Sequence, residues 1–324
     1  MNIFLADGSA REFTGLENVT VLDVATAISS GLKKRAVAGK INGQPANLSD
    51  RVFDQDVVQI LTLEDAAGLE VYRHTAAHVL GQALMRLYPE TQLAIGPVIE
   101  HGFYYDFTSS QSLSQEDLPR IQAEMEKIIA ENLAISFESV SRAEALQRFA
   151  DNTLKTELIR ELSEDQNITI YHQGEFSDLC RGPHLISTGK IKAFQLLSIA
   201  GAYWRGDSDR QMLQRIYGTA WPKKADLATH LQDLEEAKLR DHRKLGKELD
   251  IFMLSKVVGQ GLPTWLPKGA TLRRLIERYI VDLEESLGYE HVYTPHLANI
   301  ELYKISGHWE HYHEDMYPSM KVDQ

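Results

Sequence analysis

The run HTAAHVLGQAL, from His74 to Leu84, constrains this chain more than any other stretch. It lies in a strongly helical pattern, so His74 and His78, four residues apart, leave one face about one turn apart. Leu80, Ala83, Leu84 and Leu87 recur at helical spacing and give the helix an apolar stripe to bury. Further along, DLCRGPH sets Cys180, the single cysteine, four positions before His184. Arg181-Gly182-Pro183 between them dictates a tight bend that brings both onto one side of a loop. Three imidazoles and one thiol are the donor set of a tetrahedral zinc site. A fold that joins the two segments must bury this helix and return a distant loop to it.

At 324 residues the chain exceeds one ordinary core, which predicts several domains. Its 43% hydrophobic and 25% charged residues are ordinary for a globular protein, and no apolar run reaches the length of a membrane span. The N-terminus, MNIFLADGSAREF, has no basic stretch followed by an apolar one. The lone cysteine forms no internal disulfide and suits a reducing compartment, so a cytoplasmic protein without a membrane partner is expected. A net charge of −12 argues against nonspecific wrapping of nucleic acid but leaves room for a local basic surface that positions RNA phosphates.

Taken in order, the pattern predicts an α+β protein of four parts. Residues 1–62 give strands at Asn2–Leu5, near Phe13, at Ala36–Ile41 and at Val57–Leu61, with a helix over Val21–Ser29 closed by Gly31. Two strands, a helix, then more strands is the order of a β-grasp. Residues 63–222 hold both halves of the His/Cys set. AIGPVIEHGFYYDF follows the first helix as strand, turn and strand. A helix starting at Ser114 carries Asp117 as its capping-box partner and buries Leu118, Ile121, Met125, Ile128 and Ile129. Ser141 with Glu144 caps another, and Lys155 lies in the next. Residues 223–249 read as one stiff connecting helix with Leu227, Leu231, Leu234 and Leu239 inward. Residues 250–324 open with a Gly/Pro-rich entry, a helix from Ala270 to Leu287 and a strand ending at Pro295.

Several chemistries suit His74, His78, Cys180 and His184. The four could hold Zn²⁺, which binds or activates water. Without metal, a histidine could serve as general base on water attacking an ester, with Lys155 near the developing oxyanion. Asp178 could orient a histidine by accepting its second N–H. A cysteine nucleophile is the third option, weakened by the missing papain-like context. Spacing alone leaves these open.

HTAAHVL, IGPVIEHGFYYDF, DLCRGPH, GAYWRGDSDRQMLQRIYGTAW and SGHWEHYHEDMYP together resemble the bacterial threonyl-tRNA synthetases, essentially end to end. The HxxxH and CxxxH pair is shared with alanyl-tRNA synthetase editing domains; the flanking motifs point to threonyl. The resemblance implies a small TGS β-grasp domain (1–62), an editing domain (63–222), a linker helix (223–249) and the opening of a class II catalytic core (250–324). It further implies hydrolysis of serine wrongly esterified to tRNA(Thr), at a pocket lined by His74, His78, Cys180 and His184 with Lys155 and Asp178. Tyr104, Arg181 and Gly182 would contact substrate, and His74 or Lys155 would position the water. In the threonyl family this site works without metal, whereas the alanyl relative binds zinc. The helix and strand ending at Pro295 look like motif 1, which builds the homodimer interface. Motifs 2 and 3, with the ATP, Mg²⁺ and zinc sites that serve threonine activation, would lie beyond Gln324, so the resemblance makes this a truncated synthetase. Residues from about Asp250 onward are accordingly expected to pack poorly. A noncatalytic tRNA-binding fragment and a zinc-dependent editor of the alanyl type are the alternatives.

Overall fold

Alternating apolar residues in the first 62 positions build a five-stranded sheet in a computed structural model that describes residues 1–14, 18–163, 166–259 and 261–320. The elements are β1 (Asn2–Leu5), β2 (Ala10–Glu12), α1 (Val21–Ile28), α2 (Ser30–Arg35), β3 (Ala36–Ile41), β4 (Gln44–Ala46) and β5 (Val57–Thr62). Strand order is β2-β1-β5-β3-β4, with β1 and β5 parallel and the other neighbours antiparallel. Thr20 and Asp23 form a reciprocal capping box that starts α1, whose Val21 and Val24 join Ile3, Leu48, Val52 and Val58 in one core. Gly31 does not close this helix. Ser29, in extended backbone, ends α1 and caps α2, and Gly31 lies inside α2 with Lys33, Lys34 and Arg35 in its last turn.

α3 (Ala66–Leu87) follows, then β6 (Gln92–Leu93), β7 (Val98–Ile99), β8 (Gly102–Thr108) and α4 (Leu118–Glu131). Next come β9 (Ile135–Val140), α5 (Arg142–Arg148), α6 (Thr153–Glu161), β10 (Ile168–Gln173) and β11 (Phe176–Leu179). The long hairpin β12 (Ala193–Tyr203) and β13 (Met212–Trp221) completes the region. One antiparallel sheet has the order β12-β13-β8-β6, with β7 beside β8, and a second has the order β11-β10-β9. The expected apolar stripe of α3 becomes burial on nearly every side: from Val71 to Leu84 only His74 escapes full burial. Leu80, Ala83 and Leu84 pack with Phe103, Tyr105, Phe107 and Ile216 of the first sheet and with Ile121, Met125 and Ile128 of α4. On another side the β10–β11 hairpin meets it, with the Gln173 side chain donating to the His78 carbonyl and Phe176 edge-on to the His78 ring. At the start of α3, Gly68 lies so close to the end of β5 that a Cβ there would sit 1.9 Å from the Thr62 carbonyl oxygen.

The expected single connecting helix is two: α7 (Lys224–Leu239) and α8 (His242–Glu248). Asp241 breaks the run because its side chain accepts the Arg243 N–H and starts a new helix. α7 buries no residue fully; Leu227 and Leu231 are half-buried near Ile191 and Phe194, while Leu239 is 59% exposed rather than inward.

The unit Glu235–Gln324 is separate. β14 (Phe252–Leu254) pairs with β15 (Pro263–Trp265), and α9 runs from Pro267 to Ser286. The proline at its first turn, where no N–H is needed, moves the start ahead of the expected Ala270. α10 (Ile300–Ile305) and α11 (His308–Tyr312) follow. The strand expected to end at Pro295 is absent. Among the described residues nothing pairs with it, and Val292 and Tyr293 are fully exposed. Only Gly269 of α9 is buried, leaving Leu275, Ile276 and Tyr279 open, as expected of a poorly packed segment. Residues 321–324 of this expected part lie outside the described ones.

Candidate active site

His74 and His78 do lie one turn apart on α3, ring centroids 5.2 Å from each other and in T-shaped contact. The loop after β11 carries Cys180 and His184 onto them, so the two distant motifs meet. His74 Nε2 and His184 Nε2 each lie 3.2 Å from Cys180 Sγ. One donor atom from each of the four residues falls within 4.8 Å of all the others. His78 and His184 are buried, whereas His74 and Cys180 keep partial exposure, so the cluster opens on their side.

Backbone geometry explains the loop. Gly182 has φ +63, and a Cβ there would sit 1.8 Å from the Tyr171 hydroxyl, which makes glycine the residue the turn admits. The Gly182 N–H donates to Cys180 Sγ at 3.2 Å. Tyr171, on β10, also places its ring 4.6 Å from that of His184.

Thr75, between the two α3 histidines, fixes the proton on His184. Its Oγ1 lies 2.9 Å from the Val71 carbonyl, 3.0 Å from the Leu185 N–H and 3.2 Å from His184 Nδ1. A carbonyl only accepts and an amide only donates, so the arrangement that uses all three contacts sends the one hydroxyl proton to Val71 and has His184 supply an Nδ1–H. His184 Nε2 is then a lone pair aimed at the cluster. His74 donates a ring N–H to the Pro183 carbonyl, leaving its other nitrogen as an acceptor.

Behind the histidines lies a buried charge network. Asp178 points inward from β11, and Lys155 reaches it from the first turn of α6, which Asn152 caps by accepting the Lys155 N–H at 3.0 Å. Lys155 Nζ is 2.6 Å from Asp178 Oδ1, both side chains being 3% exposed. Tyr105, on β8, donates its hydroxyl to Asp178 Oδ2. Burial alone would raise the Asp178 carboxyl, but the Lys155 charge, His78 and the bonds from Lys155 and Tyr105 hold it below its ordinary value. The link foreseen between Asp178 and a histidine is loose: His78 Nε2 is 3.7 Å from Oδ2. Burial pulls His74 down to about 4 and His78 to about 3 despite Asp178, and drives His184 well below the ordinary histidine value. All three are neutral at pH 7, so His78 and Asp178 do not form an ion pair. Burial pushes the Cys180 thiol up to about 12, which leaves it protonated.

His74, His78, Cys180, His184, Lys155 and Asp178 are thus brought together, with Arg181 and Gly182 on the adjoining turn. Tyr104 is not. Its ring lies against Arg215, 3.9 Å away, and near Tyr217. Neighbours in a strand face opposite ways, so it is Tyr105 that reaches Asp178. Thr75, Tyr105 and Tyr171 were not singled out from the sequence; only the period-two alternation of FYYDF could have suggested Tyr105.

The donor set is that of a tetrahedral Zn²⁺, whose ligand atoms stand roughly 3.3–3.8 Å apart given bonds of about 2.0–2.3 Å; here they lie within 4.8 Å of one another, so a bound ion would draw the widest of them in. With the proton assignments above, His184 Nε2 needs no change to serve as a ligand.

A family model for the threonyl and alanyl tRNA synthetase second additional domain matches residues 168–217, and a TGS domain model matches residues 1–62. The threonine–tRNA ligase of Halalkalibacterium halodurans is 58% identical over 327 residues, covering 100% of this chain and 50% of that protein. Threonine–tRNA ligase 1 of Bacillus subtilis and the threonine–tRNA ligase of Listeria monocytogenes serotype 4b are each 56% identical over 325 residues, with the same coverage. The chain spans about half the length of the curated relatives it matches.

Proposed function

We propose that this chain, homologous along its whole length to the N-terminal half of threonine–tRNA ligases, hydrolyses serine from mischarged tRNA(Thr). The observation that carries the reading is the meeting of His74, His78, Cys180 and His184 in one cluster, partly exposed at His74 and Cys180 and backed by Lys155 and Asp178. The physical need is plain: a threonine site cannot strongly reject serine, which lacks only a methyl, so a second pocket must remove the error.

His74, the imidazole on the open side, is assigned the attacking water, which takes its Nε2 lone pair in place of the 3.2 Å contact with Cys180 Sγ. A neutral acceptor of low basicity orients the water and shares its proton as the ester carbonyl is attacked, and the ribose hydroxyl leaves with that proton. Lys155 is committed to Asp178, so its role is to fix that carboxylate and set the field behind the histidines. Arg181 and Gly182, on the adjoining turn, are assigned to the substrate. The protonated thiol of Cys180 donates a hydrogen bond rather than attacking.

The four donors favour one second reading, that of an alanyl-type zinc editor. Zn²⁺ held by His74, His78, Cys180 and His184 would supply Lewis acidity. The whole enzyme, on this proposal, attaches threonine to tRNA(Thr) with ATP, Mg²⁺ and a zinc ion of its own, in the cytoplasm and as a homodimer. No helix among the described residues is long and apolar enough to cross a membrane. In that enzyme the open face of α9 belongs to the class II core.

The test is deacylation of Ser-tRNA(Thr) beside Thr-tRNA(Thr), with and without chelator. Selective, chelator-resistant hydrolysis supports the metal-free reading. Loss on chelation with recovery on Zn²⁺ assigns the zinc one, and equal rates on both substrates overturn the proposal.

A further inference from the structure

The loop that carries Cys180 and His184 is gripped from two sides. One grip is internal to the region: Thr75 of α3 accepts the Leu185 N–H and meets the His184 ring. The other comes from the β-grasp. Asn47, which follows β4, accepts the His184 backbone N–H on its Oδ1 at 3.2 Å and donates from its Nδ2 to the Tyr171 hydroxyl at 2.8 Å. Tyr171 in turn bounds the Gly182 turn and flanks the His184 ring. Asn47 is itself fixed, since its own N–H donates to Asp50 Oδ2 at 2.7 Å. A side-chain amide presents an acceptor and a donor from one rigid plane, and both are used here, one on each flank of His184.

We infer that Asn47 is a positioning residue of the hydrolytic site, through which the N-terminal β-grasp holds the Cys180–His184 loop in register with His74. The consequence for hydrolysis rests on the function proposed above; the grip itself does not. A lone pair on His184 Nε2 is useful only if the ring stays within reach of Cys180 and of a water. The backbone N–H of His184 is the nearest handle on that ring. The residue that takes it lies 137 positions earlier, in a segment matched by a different family model. The β-grasp is on this account part of the site's frame, and not only a separate RNA-binding module.

The experiment uses the full chain and two readouts. Asn47→Leu keeps the branched shape and removes both hydrogen bonds; Tyr171→Phe removes one and keeps the ring against His184. Asn47→Asp keeps the acceptor for the His184 N–H, the Tyr171 hydroxyl can turn to donate to it, and the Asp50 carboxyl, 3.5 Å from the Nδ2 position and raised by burial, can share a proton with it. The first readout is the rate at which iodoacetamide alkylates Cys180, followed by mass spectrometry, which needs no activity. Asn47→Leu is expected to speed alkylation about tenfold, the equivalent of about 1.4 kcal/mol, with Tyr171→Phe intermediate and Asn47→Asp near wild type. The second readout is Ser-tRNA(Thr) deacylation, where kcat should fall about tenfold in Asn47→Leu with KM unchanged. A residue that mattered only for folding would lower the active fraction without quickening alkylation of the folded chain, and Asn47→Asp would not rescue it. Wild-type alkylation in both Asn47→Leu and Tyr171→Phe overturns the inference, as does wild-type kcat in an active enzyme. If the wild-type chain deacylates nothing but alkylation still responds, the grip stands and the hydrolytic reading fails.

Discussion

Replacing Lys155 by methionine should destabilise this protein more than most single substitutions do. The Lys155 ammonium and the Asp178 carboxylate approach to 2.6 Å with both side chains 3% exposed. At that distance and an effective dielectric constant of about 20 their attraction is about 6 kcal/mol, most of which offsets the cost of taking two ions out of water. Removing one partner leaves the desolvation of the other uncompensated. In Lys155→Met the carboxylate keeps only the Tyr105 hydroxyl and a neutral His78. The expected loss is about 3–5 kcal/mol. The double variant Lys155→Met with Asp178→Asn removes both charges and preserves an acceptor for Tyr105, so it should recover to within about 2 kcal/mol of wild type. The sign of the pH effect follows. Without the lysine the Asp178 carboxyl rises above its unfolded value, so the deficit of the single variant is largest at neutral pH and shrinks as acid protonates it. The assay is urea unfolding followed by fluorescence of Trp204 and Trp221, repeated at pH 7.5 and 5. A single-variant loss below about 1 kcal/mol, or a double variant no better than the single, would refute the reasoning.

Thr75→Val keeps shape but strands the Leu185 N–H and frees His184 Nδ1; a loss of about 1–3 kcal/mol is expected, with Thr75→Ser close to wild type, and histidine ¹⁵N spectra should show His184 turning from the Nδ1–H to the Nε2–H form. Unchanged spectra would remove Thr75 from its role. Folding stability should fall as pH drops below 6.5, because His74 and His78, held down to about 4 and about 3, take up protons there only when unfolded. Each contributes a loss of about 2 kcal/mol between pH 6.5 and 5, so a flat unfolding free energy over that window counts against the buried neutral state. Cys180→Ala should leave deacylation within about tenfold of wild type, as a hydrogen-bond donor and not a nucleophile would. Abolished hydrolysis, or a covalent acyl–enzyme in mass spectra, would restore the cysteine mechanism.

The HxxxH and CxxxH elements were legible because one helical turn and one Gly-Pro bend are local geometry, and four donors of zinc type are conspicuous in any sequence. Thr75 was hidden between them, since its hydroxyl acquires a function only when His184 arrives from afar. Tyr105 and Tyr104 are neighbours of one type, and which of them faces Asp178 depends on which side of β8 the helix α3 covers. Asn47 offered no sign, as an asparagine after a strand is ordinarily a turn residue. In the fold, capping boxes at Thr20, Ser114 and Ser141 mark helix starts where they were expected or where the pattern allowed. The break at Asp241 and the missing strand before Pro295 went the other way. Leucine spacing carries no information about a cap that interrupts it, and an extended segment becomes a strand only beside a partner.

The burial of α3 on nearly every side has a consequence for synthesis. Its histidines leave the ribosome early, yet their surroundings include Phe176 and Ile216, so the helix has nowhere to hide its apolar faces until β13 has emerged. A nascent chain that has made His184 but not β13 holds every donor of the cluster on a helix whose sheet-facing side is still bare. The frame around α3 is therefore expected to close only when β12 and β13 dock.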